Sequence, residues 1–139
     1  MGSIQDNTRI VQEGYAAFAR SDIQGLLALL ADDVEWIIPN SGGPLGGTYR
    51  GHAGVAAFFQ KLAGEADILA FEPREFVAQG DRVLVVGWER VKVKSTSRTA
   101  ELHWVMAFTV RDGKVTHFQE YTDTLAIAGA YGLSARAAG

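Results

Sequence analysis

Residues 108–124 read F-T-V-R-D-G-K-V-T-H-F-Q-E-Y-T-D-T. Two runs of strand-forming residues flank Asp112-Gly113, the kind of dipeptide that accepts the positive backbone angles of a tight hairpin turn. The reading is therefore a β-hairpin, one strand ending at Phe108-Thr109-Val110 and the next running from Val115 to Thr122. Its second strand also carries a carboxylate, Glu120, which becomes the main candidate for chemistry.

The rest of the chain is bounded by its composition. At 139 residues it is expected to form one domain, with a core over about residues 8–126, a weakly ordered C-terminal tail, and burial of about two thirds of the unfolded surface. A net charge of −3 gives no electrostatic footprint for nucleic acid. The absence of cysteine excludes disulfides, thiolate nucleophiles and cysteine metal sites. The polar N-terminal stretch M-G-S-I-Q-D-N-T-R-I-V-Q lacks the apolar core of a signal peptide, and no apolar run approaches a membrane span. A cytoplasmic location is the default expectation, and nothing in the sequence calls for a cofactor.

Upstream of the hairpin, residues 8–19 place Val11, Tyr15 and Phe18 on one helical stripe. Ser21-Asp22 supplies a cap for a short second helix with Leu26, Leu27, Leu29 and Leu30 on its buried side, closing near Asp32-Asp33. A strand over residues 34–38 ends at Pro39 and runs into N-S-G-G-P-L-G-G, which lacks phosphate-loop spacing and is read as a connection bordering a pocket mouth. A third helix follows Gly51, with Val55, Phe58, Phe59 and Leu62 at core spacing. Strands near residues 72–79, 82–94, 99–111 and 114–122 complete the pattern, before a weak helical tail from Leu125 to Ala137. Helices first and an antiparallel meander second indicate an α+β fold with the helices on one sheet face.

Alternation along strands sorts the sheet into two faces, provided no bulge intervenes. One assignment gathers all three tryptophans under the helices. It sets Trp36 and Ile38 with Val86, Trp88, Arg90 and Lys92, with Leu102, Trp104, Met106 and Phe108, and with Thr116, Phe118 and Glu120. The opposite face then holds Glu101, His103, Val105, Ala107, Thr109, His117, Gln119 and Tyr121. That mixed polar and aliphatic surface suits water or a homodimer contact.

Three segments together resemble a known family. They are Y-A-A-F-A-R-S-D-I-Q-G-L-L-A-L-L-A-D-D-V-E-W, Y-R-G-H-A-G-V-A-A-F-F and the hairpin itself, spanning roughly residues 10–126. The pattern is similar to the SnoaL-like, ketosteroid isomerase-related branch of the nuclear transport factor 2-like superfamily. The resemblance implies a cone made by a strongly bent mixed sheet wrapped on three N-terminal helices, a deep apolar cavity, and a homodimer through the outer sheet face. Its members include isomerases, polyketide cyclases, dehydratases, epoxide hydrolases and modules with no chemistry, so the fold alone does not choose a function.

Carried over residue by residue, the ketosteroid isomerase tyrosine falls on Tyr15, its base position on Ile38 and its acid position on Met106. Neither Ile38 nor Met106 moves a proton. Against limonene epoxide hydrolases, Glu89-Arg90-Val91-Lys92 sets their arginine on Arg90 and one aspartate on Lys92, while their second carboxylate falls on Glu120. SnoaL-type cyclases need a base and a polarising donor, which Glu120, Arg90 and Tyr15 would supply.

The candidate site is therefore Glu120, Arg90 and Tyr15 as the chemical groups, in a cavity walled by Trp36, Ile38, Phe59, Trp88, Trp104, Met106 and Phe118. Two readings of Glu120 stand side by side. In one it is a general base or acid; in the other Arg90 neutralises it and the pair joins two strands. Tyr15 likewise reads as a packing residue or as a donor, and Asp123 as a turn or cap residue. His52, His103 and His117 have no metal-ligand spacing, so no metal site is expected. The expected ligand is a small apolar or carbonyl-bearing ring compound, with no nucleic acid or membrane partner. The reaction would be cofactor-free acid/base chemistry, and the alternative is a non-catalytic binding or dimerisation module.

Overall fold

Ser3 accepts a hydrogen bond from the Asp6 amide at 3.0 Å and donates its own amide to Asp6 Oδ2 at 3.2 Å. This capping box starts helix α1 (Ile4–Ala19) four residues before the apolar stripe would place it. Asp22 caps the short α2 (Ile23–Leu27), its Oδ1 accepting from the Gly25 amide at 2.8 Å. The computed structural model describes residues 3–133. Within them, no helix is long and apolar enough to cross a membrane.

The remaining elements are β1 (Leu30–Ile38), β2 (Gly47–Arg50), α3 (Gly51–Glu65), β3 (Ala66–Gln79), β4 (Arg82–Val93), β5 (Thr99–Arg111), β6 (Lys114–Thr122) and α4 (Thr124–Ala130). They make an α+β fold, a single mixed sheet in the order β2-β1-β6-β5-β4-β3. The meander from β3 to β6 is antiparallel as expected, whereas β1 lies parallel to β6. Asp32 and Asp33 do not close a helix. They are exposed residues inside β1, where its register against β6 shifts. The glycine-rich connection ends in the edge strand β2, which the sequence pattern does not announce. Of the expected helical tail, Thr124–Ala130 is helical, and residues 134–137 lie outside those described.

The hairpin that decides the fold turns at Asp112 (φ 51°) and Gly113 (φ 78°), both in the left-handed region that a two-residue turn requires. Just beyond it, β6 bulges. Thr109 pairs with His117 but Val110 with Val115, leaving Thr116 as the extra residue. The bulge lets both Val115 and Phe118 face the core, at 3% and 2% exposure, and displaces Thr116 from the inward row.

Strand β4 shows the opposite face from the one expected. Val83, Val85, Gly87, Glu89 and Val93 are buried, while Arg90 is exposed and Trp88 and Lys92 are partly so. The register explains why. Gly87 lies opposite Trp104, and a side chain there would overlap the Trp104 indole and come within 2.7 Å of the Glu72 carbonyl oxygen. Only a residue without Cβ leaves room for the indole, which is stacked on Phe71 (5.1 Å, 21°) and Tyr15 (6.1 Å, 17°). Trp88 therefore faces outward, with the Arg74 guanidinium 5.4 Å from its ring centre. Arg90 also lies on that outer face, opposite Glu101.

Replacing Gly87 with Ala tests this account. The variant is expected to lose about 1–3 kcal/mol of stability in urea unfolding, because the added methyl overpacks a core with no slack.

Candidate functional site

The site is a cavity of about 160 Å³ between the concave sheet face and the helices. Helix α1 brings Tyr15 into it, because the residue sits one turn from Val11 on the stripe that packs on the sheet. Strand β1 contributes Trp36 and Ile38, α3 contributes Phe59, and the β5–β6 hairpin contributes Met106, Phe118 and Glu120. These expected wall residues meet in one place. Trp36 is held face to face with Phe118, ring centres 3.9 Å apart at 18°. Ser41 and Leu45 of the glycine-rich connection and Tyr131 beyond α4 border the same space.

Three expected site residues lie elsewhere. Trp88 and Arg90 are on the outer face of β4, for the register reason given above. Trp104 is on the concave face but 2% exposed, packed under Tyr15 and Phe71 as core rather than cavity wall. Arg90 therefore does not neutralise Glu120.

In its place the cavity contains Glu89, which is 8% exposed. The sequence contained a signal for it. The even-numbered residues of β4 include Arg82, Arg90 and Lys92, whereas the odd-numbered ones are four valines, a glycine and Glu89. Charge segregation marks the odd set as inward, whereas gathering the three tryptophans on one face points to the even set.

Two carboxylates thus share a largely apolar cavity. Among the described residues neither has an ion-pair or hydrogen-bond partner, and no lysine, arginine or histidine lines the space. Burial raises Glu89 to about 8, with the charge of Glu120 adding to the effect. Burial alone raises Glu120 to about 7. Glu120 is partly exposed and lines the cavity.

Tyr15 donates its hydroxyl to Met106 Sδ at 3.1 Å. Burial first, then the nearby charges of Glu120 and Glu89, hold the phenol protonated far above its ordinary range. A thioether is a weak acceptor, so a ligand oxygen can replace it at small cost. The indole N–H of Trp36 is buried and also lacks an acceptor. Chemically, the site offers a base that ionises near neutrality, an acid that keeps its proton there, and a phenolic donor. Among the described residues no cluster of three or more histidines, aspartates or glutamates is placed to hold a metal ion.

Residues 11–118 match the SnoaL-like domain family. The chain belongs to that family. Consistently, this SnoaL-like protein is 55% identical to an NTF2-like protein of Burkholderia xenovorans LB400, over 92% of this chain and 97% of that one, with a TM-score of 0.85. It is 37% identical to TerC, whose structure was solved with polyporic acid, over 91% and 98% of the two chains, with a TM-score of 0.79. An uncharacterized protein of Mycobacterium tuberculosis H37Rv is 28% identical over 112 residues, 81% of this chain and 85% of the relative. The mixed sheet and N-terminal helices are those of the nuclear transport factor 2-like fold. A Catenulispora acidiphila protein with a ketosteroid isomerase-like fold shares that architecture at 17% identity, with a TM-score of 0.76.

The two carboxylates have a thermodynamic signature. The folded protein keeps protons that the unfolded chain, with glutamates near 4.5, releases as pH rises. Stability is therefore expected to be greatest below about pH 4.5 with respect to these groups, to fall through the range up to about 8, and then to level off. Urea unfolding from mildly acidic to mildly alkaline pH checks the slope. Glu89→Gln should flatten it and gain about 2–4 kcal/mol relative to wild type at the alkaline end.

Proposed function

We propose that this SnoaL-like protein binds a small, largely apolar ring compound in the cavity and moves a proton on it without a cofactor. The observation that carries the reading is the pair of unpaired carboxylates lining the cavity, with unequal proton affinities, beside a phenolic donor. Glu120 removes a proton from a carbon next to a carbonyl. Glu89 gives a proton to the carbonyl oxygen, to which Tyr15 donates a hydrogen bond, so that an enol forms. Glu120 then returns its proton to a different carbon of the conjugated enol while the enol proton goes back to Glu89, which completes an isomerisation. Alternatively, the enol carbon adds to a second carbonyl of the ligand, whose oxygen takes the proton from Glu120. The co-crystallisation of TerC with polyporic acid supports a small organic molecule as the occupant.

The experiment follows hydrogen–deuterium exchange next to the carbonyl of 2-tetralone in heavy water by NMR. Wild type is expected to accelerate exchange, with the rate rising through about pH 7 as Glu120 ionises. Glu120→Gln should lose about 100-fold or more of that acceleration. If Glu120→Gln matches wild type, the base is not Glu120; if wild type gives no acceleration while the ketone binds, the protein is a binding module. That second reading has one observation in its favour, the absence of any guanidinium or ammonium beside the site to stabilise an oxyanion.

We further propose a homodimer through the outer sheet face. Leu84 and Tyr121 are 37% and 52% exposed there, on the same side as Trp88 and Val105. Light scattering at micromolar concentration should return twice the chain mass of 15.0 kDa, and a monomer would rule the interface out.

A further inference from the structure

Among the described residues, the ionisable side chains that line the cavity are carboxyls and phenols, with no cationic group. Glu89 is nine-tenths buried, borders the space and has no partner; Glu120 borders it from the neighbouring hairpin, also without one. Among the described residues, the polar groups that other elements bring to the same cavity are Tyr15 on α1, Tyr131 beyond α4 and Ser41 in the connection, all neutral. Arg90 and Lys92 of β4 lie on its outer face, and two further cations nearby are engaged elsewhere. Lys94 Nζ donates to the Ala63 carbonyl oxygen at 2.6 Å, and Arg98 Nη1 to that of Gly129 at 3.0 Å. Around the carboxylates stand the rings of Tyr15, Trp36, Phe59, Phe71 and Phe118. Aromatic faces attract cations and leave an anion unsatisfied.

We infer that the cavity selects ligands bearing one basic amine on an apolar or aromatic body, in preference to neutral or anionic compounds of the same shape. This rests on the cavity being the ligand site, as proposed above, and adds the charge of the ligand. A single ammonium balances one carboxylate and donates hydrogen bonds to it, while the other carboxyl keeps its proton. The pair thus retains one base and one acid. An anionic compound would meet no cation and would have to lose its charge on entry.

The test is a calorimetric titration at neutral pH with three probes of one shape: phenethylamine, 2-phenylethanol and phenylacetate. The amine is expected to bind about tenfold or more tighter than the alcohol, as a charge-assisted hydrogen bond in a buried site allows. Phenylacetate is expected not to bind at millimolar concentration. In a Glu89→Gln, Glu120→Gln double variant the amine and alcohol affinities should converge, with circular dichroism confirming the fold. Equal binding of amine and alcohol by wild type, binding of phenylacetate, no binding of the amine at millimolar concentration, or a preference that survives in the double variant would each overturn the inference. The three-probe comparison on wild type stands even if the double variant fails to fold. Amine selectivity without 2-tetralone exchange would retain this inference and remove the proton-transfer reading, whereas exchange without amine selectivity would do the reverse.

Discussion

The contact between the Trp104 indole and the backbone of Gly87 decides which side of β4 enters the protein. An indole packed against both Phe71 and Tyr15 fills the space where any side chain on residue 87 would project. Strand alternation then fixes the rest: Val83, Val85, Glu89 and Val93 go in, and Leu84, Trp88, Arg90 and Lys92 go out. One steric fit therefore delivers an acid to the cavity and keeps a guanidinium from it. The electrostatic character of the site follows from that packing choice.

An ionised carboxylate in apolar surroundings without a counter-ion is costly, and a protein interior usually resolves this by keeping the group neutral. Here both glutamates follow that rule to different degrees. Glu89 is close to fully buried and experiences a second negative group, while Glu120 is affected by burial alone. The asymmetry separates their roles without an arginine. Tyr15 completes the set because its hydroxyl rests on a thioether, an acceptor easily exchanged for a better one.

Much of this was legible from the chain. The hairpin with its Asp112-Gly113 turn, the three helices and the inward position of Tyr15, Trp36, Ile38, Phe59, Met106, Phe118 and Glu120 follow from turn chemistry and periodicity, which are local properties. Glu89 was less accessible because alternation gives two faces but does not say which is which. That choice depends on a cross-strand partner, here Trp104 over Gly87, and the basic residues on the even positions of β4 were the available clue. The edge strand β2 escaped notice for another reason. Its four residues, Gly47 to Arg50, are mostly exposed and carry no alternation to detect. The bulge at Thr116 is likewise a property of pairing between strands rather than of sequence within one.

The place of β6 in the sheet has a consequence for how the chain is made. It is the last strand in sequence, yet it lies in the interior of the sheet, between β1 and β5. Strand β1 leaves the ribosome some 80 residues before its parallel partner is complete, as such non-local pairing demands of a nascent chain. Until then the β1–β2 pair is open along the β1 edge that β6 will occupy, and the walls of the cavity are not joined. Assembly of the sheet is therefore a late event in synthesis, and a chain truncated before Thr122 would lose the joint between its two halves rather than a trailing edge.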